Sequence, residues 1–113
     1  MQSPDLQRLE HMQAYCEEIS ATIGRYGDDF SVFLGDLDFQ KSVSFSIFQI
    51  GELSIRLSDG FRKETASIID WPAIRGMRNI VAHDYGSVNL ALLWETAKKD
   101  IPVLEAFCRE KVE

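Results

Sequence analysis

Apolar residues in this chain recur at every third and fourth position in one segment after another. No strand-length window bounded by hairpin turns alternates them with polar residues. That spacing restricts the chain to helices packed on helices. Over about residues 5–23, Leu6, Leu9, Met12, Tyr15 (or Cys16), Ile19 and Ile23 mark one helix face, and Gly24 marks a stop. Gly27 and Asp28 open a short second helix with Phe30, Phe33 and Leu34 on its apolar side and Gly35 at its end. About residues 38–58 are apolar on most of the circumference through Val43, Phe45, Ile47, Phe48, Ile50, Leu53, Ile55 and Leu57. This should be the central, most buried helix.

After Asp59-Gly60, with room for a short helical turn before Ile69, Asp70-Trp71-Pro72 reads as a helix start: a capping carboxylate followed by proline in the first turn. The fourth helix runs to about residue 83, with Gly86 as a stop. Asn89 can cap a fifth helix over about residues 90–111, with Leu92, Leu93, Ala97, Ile101, Leu104 and Phe107 as core positions and a bend at Pro102. The expected architecture is all-α, an antiparallel helical bundle of about five elements. With 113 residues, 45% of them apolar, and no linker or repeat, residues 1–113 should form one domain around one core.

Charge and cysteines narrow the function. No apolar run reaches the roughly 18 residues of a membrane span. Met1-Gln2-Ser3-Pro4-Asp5 lacks the features of a secretory signal, so a cytoplasmic protein is expected. Cys16 and Cys108 lie near opposite ends without zinc-ligand spacing and read as buried, reduced thiols. The net charge of −6 argues against a broad basic surface for nucleic acid. Yet the charge is segregated. Residues 1–55 carry 3 basic and 9 acidic side chains, residues 56–78 carry 5 and 3, and residues 79–113 carry 4 and 6. The net-positive segment, with Arg56, Arg62, Lys63, Arg75 and Arg78, is where an anionic ligand belongs.

That segment leads into Arg78-Asn79-Ile80-Val81-Ala82-His83-Asp84-Tyr85, where a phosphate-binding guanidinium and a near-neutral proton carrier fall within about two helical turns. At about 100° per residue, Trp71, Ile74, Met77, Ile80 and Val81 form the core side, whereas Arg75, Arg78, Asn79, Ala82 and His83 form a polar arc. Asn79 and His83 are i,i+4 neighbours, so the amide can orient the imidazole. Arg78 and His83 lie about 140° apart, which suits a wide shared ligand or a second subunit better than direct contact. The plain alternative is a solvated face with a histidine at a helix C-terminus, favoured there by the helix dipole. On the central helix, Gln49, Glu52 and Arg56 draw a polar stripe. It serves either an exposed Glu52–Arg56 pair or a shared polar pocket.

The segment Trp71-Pro72-x-Ile74-x-x-x-Arg78-Asn79-x-x-x-His83-x-Tyr85, with Ile50-Gly51-Glu52 before it and residues 88–94 after it, resembles the HepT-like toxins of the HEPN superfamily. The family signature, Arg, four residues, His, one residue, Tyr, is intact as Arg78, His83 and Tyr85. The resemblance implies an all-α HEPN-like fold and a homodimer whose motif helices face each other across a composite ribonuclease site. It also implies a partner antitoxin, a minimal nucleotidyltransferase of the MntA type, that transfers AMP to the toxin. Carried over residue by residue, Arg78 and His83 are the catalytic pair, Tyr85 is the AMP acceptor, and Asn79 and Glu52 are supporting residues. RNA is then the substrate, cut by attack of the ribose 2′-hydroxyl, with no metal and no cofactor. A rival reading is a non-catalytic helical dimer that binds and regulates a nucleotidyltransferase. It predicts tight complex formation without RNA cleavage.

Overall fold

The computed structural model describes residues 3–81 and 89–113. Those residues form helices connected by short turns, with no strand among them. Helix α1 spans Pro4–Tyr26, α2 Phe30–Leu34, α3 Leu37–Arg56, α4 Asp59–Glu64 and α5 Trp71–Val81. Then come α6 (Leu90–Glu95), a π-helical turn (Thr96–Asp100) and α7 (Ile101–Val112). The all-α expectation holds. Helix α3 is central, packed on α1 along one side and α5 along the other, while α7 lies against α1. Among the described residues no helix is long and apolar enough to cross a membrane.

Side-chain caps set most of the helix starts. Ser3, Asp29, Asp36, Ser58 and Asn89 each accept a backbone N–H of the first turn they precede. Asp70 does the same for α5, its Oδ1 accepting the Ala73 N–H at 3.1 Å, and Pro72 occupies the first turn where no N–H is missed. The capping expected of Asp70 and Asn89 is therefore present.

The first helix does not stop at Gly24. It continues to Tyr26, and the cap is Gly27, whose φ of 125° is accessible to glycine and strained for other residues. The extra turn stacks Tyr26 on Phe39 with ring centroids 4.8 Å apart, which offsets the modest cost of a glycine inside a helix. Asp29, rather than the preceding Gly27-Asp28 pair, then caps α2.

The last segment, expected as one helix over about residues 90–111, is divided by a π-helical turn just before Pro102. In that turn the Ile101 N–H bonds back to the Thr96 carbonyl. Widening the helix immediately ahead of Pro102 relieves the clash its ring would make with a carbonyl four residues back.

The core collects Leu9, Met12, Cys16 and Ile19 of α1, Phe39, Val43, Ile47 and Ile50 of α3, and Ile101, Leu104 and Cys108 of α7. Phe33, Phe39 and Trp94 form an aromatic cluster at one end. Phe61, Trp71 and Phe107 form another. Phe45, read above as part of the most buried helix, is 56% exposed and lies edge-on to Tyr15, with ring centroids 6.2 Å apart. Helix α3 instead buries Ser44, Ser46, Gly51 and Ser54, small residues that admit neighbouring helices closely. Both cysteines are buried and unpaired. Burial, with Glu105 nearby, pushes the Cys108 thiol up to about 12, and burial raises the Cys16 thiol as well. Neither is suited to thiolate chemistry at neutral pH.

Asp5 ties α1 to the start of α4. Its Oδ1 accepts the Ser58 N–H at 2.9 Å and its Oδ2 accepts the Ser58 hydroxyl at 2.6 Å. Partial burial works against ionisation, but the two bonds from Ser58, helped by Arg8 and Arg62, hold the carboxyl below its usual range. A carboxyl lowered on folding contributes stability above its unfolded pKa and loses it as pH falls through the folded value. Asp5→Ala should therefore cost about 1 kcal/mol at neutral pH, and the difference from wild type should vanish below the carboxylate range. Denaturant titrations of both proteins from pH 7 down to about pH 2 check this.

Candidate functional site

The site is built where α3 and α5 cross. A Cβ added to Gly51 would lie 3.0 Å from both the Arg78 backbone nitrogen and the Arg78 Cβ. Only a residue without a side chain lets the two helices approach this closely. The contact leaves Glu52, the next residue of α3, beside the Arg78 side chain. Glu52 Oε1 lies 3.0 Å from Arg78 Nε.

This settles the polar stripe of α3. Glu52 turns to Arg78 on the neighbouring helix and not to Arg56 one turn along its own. The Glu52–Arg78 contact is ionic without being a directed hydrogen bond, because the buried Nε–H finds no acceptor in line. The Arg78 side chain nevertheless remains 41% exposed and that of Glu52 31% exposed. A guanidinium held through its inner nitrogen still has its terminal amino groups to offer an anion.

The beginning of α5 is fixed from the other side. Trp71 is buried and its indole N–H donates to the buried Thr65 hydroxyl at 2.8 Å, which in turn donates to the Phe61 carbonyl. Trp71, Ile74 and Met77 face the core, as the helical projection requires. Arg75 and Asn79 are exposed and Arg78 is half-exposed, so the described part of the polar arc faces outward. His83 and Tyr85 lie outside the described residues, as do Gly86 and the end of the motif helix expected near residue 83.

A cleft of about 500 Å³ opens along the same seam, one turn before Arg78. Ile69, Trp71 and Pro72 give it an apolar wall, and Arg62, Lys63 and Arg75 give it positive charge. The sequence signalled those cations as part of its net-positive segment but gave no sign that they would enclose a cleft. Among the described residues, no group of three or more His, Cys, Asp or Glu side chains could hold a metal ion.

Comparison with known proteins assigns the chain to a family. The model of the family described as ribonuclease HepT-like matches residues 10–110. The chain belongs to the HepT-like ribonucleases. It is 35% identical over 102 residues to a protein of Caldanaerobacter subterraneus named "Putative RNase TTE0752", covering 90% of this chain and 88% of that one. It is 34% identical over 76 residues to the "Probable ribonuclease HepT" of Thermococcus cleftensis, covering 67% of this chain and 68% of the relative. No solved structure gives a significant match.

Gly51→Ala tests the crossing. An alanine is the better helix former by about 1 kcal/mol. Its methyl, however, meets backbone that cannot rotate away, and such overpacking costs about 1–3 kcal/mol. We expect a net loss of about 1 kcal/mol in chemical denaturation, accompanied by weaker RNA cleavage as Glu52 and Arg78 separate. Unchanged stability and unchanged cleavage together would show that close approach at this point is not required.

Proposed function

We propose that this protein, as one domain over residues 1–113, is the toxin of a toxin–antitoxin pair and a metal-independent endoribonuclease. The observation that carries the reading is Arg78, the first residue of the family signature, braced by Glu52 across the glycine contact between α3 and α5. In the reaction the ribose 2′-hydroxyl attacks the adjacent phosphorus. A new bond forms from O2′ to phosphorus, the bond from phosphorus to O5′ breaks, and the products are a 2′,3′-cyclic phosphate and a 5′-hydroxyl. His83 accepts the 2′-hydroxyl proton, and the His83 of a second subunit returns a proton to O5′. Arg78 stabilises the charge that builds on the phosphorane oxygens, through the amino groups that Glu52 leaves free. Asn79, one turn before His83, orients the imidazole.

A homodimer with facing motif helices supplies both histidines and answers the wide angular separation of Arg78 and His83. Tyr85 is the point of control. Attachment of AMP there by an MntA-type nucleotidyltransferase adds bulk and negative charge beside the phosphate site, occluding it and repelling RNA.

Arg78→Ala and His83→Ala should each lower RNA cleavage by about 100-fold or more, with wild-type cleavage unaffected by EDTA. Glu52→Gln should lower it less, because Arg78 keeps its charge and loses only its brace. Full activity in either alanine variant would remove that residue from the mechanism, and inhibition by chelator would remove metal independence.

Intact mass after incubation with the cognate nucleotidyltransferase and ATP tests the control step. The wild type should gain AMP and lose ribonuclease activity, and Tyr85→Phe should do neither. A gain of AMP by the phenylalanine variant would place the modification elsewhere.

A further inference from the structure

The cleft beside Arg78 is placed and charged to do part of the binding. Its cations fall into two kinds. Arg62 is committed to the fold: one terminal nitrogen donates to the Ser54 and Ile55 carbonyls, at 3.1 and 3.2 Å, and the other pairs with Asp59. Lys63 and Arg75 are exposed, and their side chains have neither an ion pair nor a hydrogen bond among the described residues. Asp70, the carboxylate in the lining, is engaged in capping α5 through Ala73. The cleft thus presents two unspent positive charges above the apolar edge of Ile69, Trp71 and Pro72.

Its position relative to Arg78 follows from the helix. Arg75 precedes Arg78 by one turn, about 4.5 Å along the axis and about 60° around it, so both project from neighbouring parts of one surface. Across the seam, Ser54 lines the cleft, and its hydroxyl donates to the carbonyl of Gly51, the residue packed on Arg78. Cleft and Glu52–Arg78 pair therefore lie about one helical turn apart on both α3 and α5.

We infer that this cleft is a subsite for the RNA strand, in which Lys63 and Arg75 bind the phosphate next to the scissile one while the nucleoside rests against Ile69, Trp71 and Pro72. The inference rests on the ribonuclease reading above. It adds two substrate-binding residues outside the signature, at a distance suited to holding the strand in register while Arg78 addresses the reacting phosphate. The acidic remainder of the chain discourages loose binding elsewhere, so these contacts carry a large share of the affinity.

The test uses the full chain and a fluorescein-labelled single-stranded oligoribonucleotide with 2′-O-methyl groups, which binds without being cut. Lys63→Ala/Arg75→Ala should weaken its Kd about 10-fold and reduce the slope of log K against log salt by about 0.7, the value for one lost single-strand phosphate. With a cleavable oligonucleotide the same variant should raise KM about 10-fold and leave kcat within about twofold, because the lost contacts bind ground and transition states alike. Lys63→Arg/Arg75→Lys should restore both. Wild-type affinity and KM in the double alanine variant, with the wild type cutting RNA, would overturn the subsite and leave the ribonuclease intact. A wild type that neither binds nor cuts RNA would overturn both.

Discussion

The close approach of α3 and α5 at Gly51 is the constraint on which the candidate site depends. A helix pair normally keeps its axes 8–10 Å apart because side chains fill the space between them. Here one missing side chain brings the Arg78 backbone against α3. Glu52 is the next residue along α3, so the same contact that sets the helix spacing sets the position of the carboxylate. A larger residue at position 51 would push back the backbone that carries Arg78. The ion pair would then have to stretch or turn, and an anion held by the guanidinium would move with it.

The crossing is supported at both of its ends by interactions with no direct part in chemistry. Trp71 fixes the entry of α5 through its hydrogen bond to Thr65 and its ring contacts with Phe61 and Phe107. Arg62 reaches the Ser54 and Ile55 carbonyls in the last turn of α3, where helix geometry leaves carbonyls short of donors; the Ser54 carbonyl also accepts the Leu57 N–H. Helix α4 and the turn after it are thus more than a connection. They tie the C-terminal end of α3 to the N-terminal end of α5 and so hold the walls of the cleft apart.

Much of this was legible in the sequence, for physical reasons that differ between features. The all-α architecture, the central position of α3 and the core side of α5 follow from apolar spacing. The starts at Asp70 and Asn89 follow from short polar side chains that satisfy backbone donors. Helix ends were harder, because Gly24 and Gly27 are equally good stops locally and the stacking of Tyr26 on Phe39 decides between them. Phe45 misled because a ring counts as core in any periodic reading, whereas Ser44, Ser46 and Gly51 are buried for what they lack. In the site, the polar arc was readable, but the partner of Glu52 was not. An i,i+4 arginine on its own helix is always an available candidate, and only the tertiary approach at Gly51 selects Arg78 instead.

The arrangement also reconciles an acidic chain with an anionic substrate. Six excess negative charges lie in residues 1–55, which form α1, α2 and most of α3, and five basic residues fall between Arg56 and Arg78. At physiological ionic strength a charge is felt over about 8 Å, so a phosphate at the seam responds chiefly to Arg75, Arg78 and Lys63, with Glu52 paired to Arg78, and more weakly to carboxylates farther off. Those carboxylates still lower affinity for a strand laid anywhere else on the molecule. Segregated charge of this kind disfavours a polyanion on the acidic part of the chain and leaves the seam, with its braced arginine, the more favourable surface.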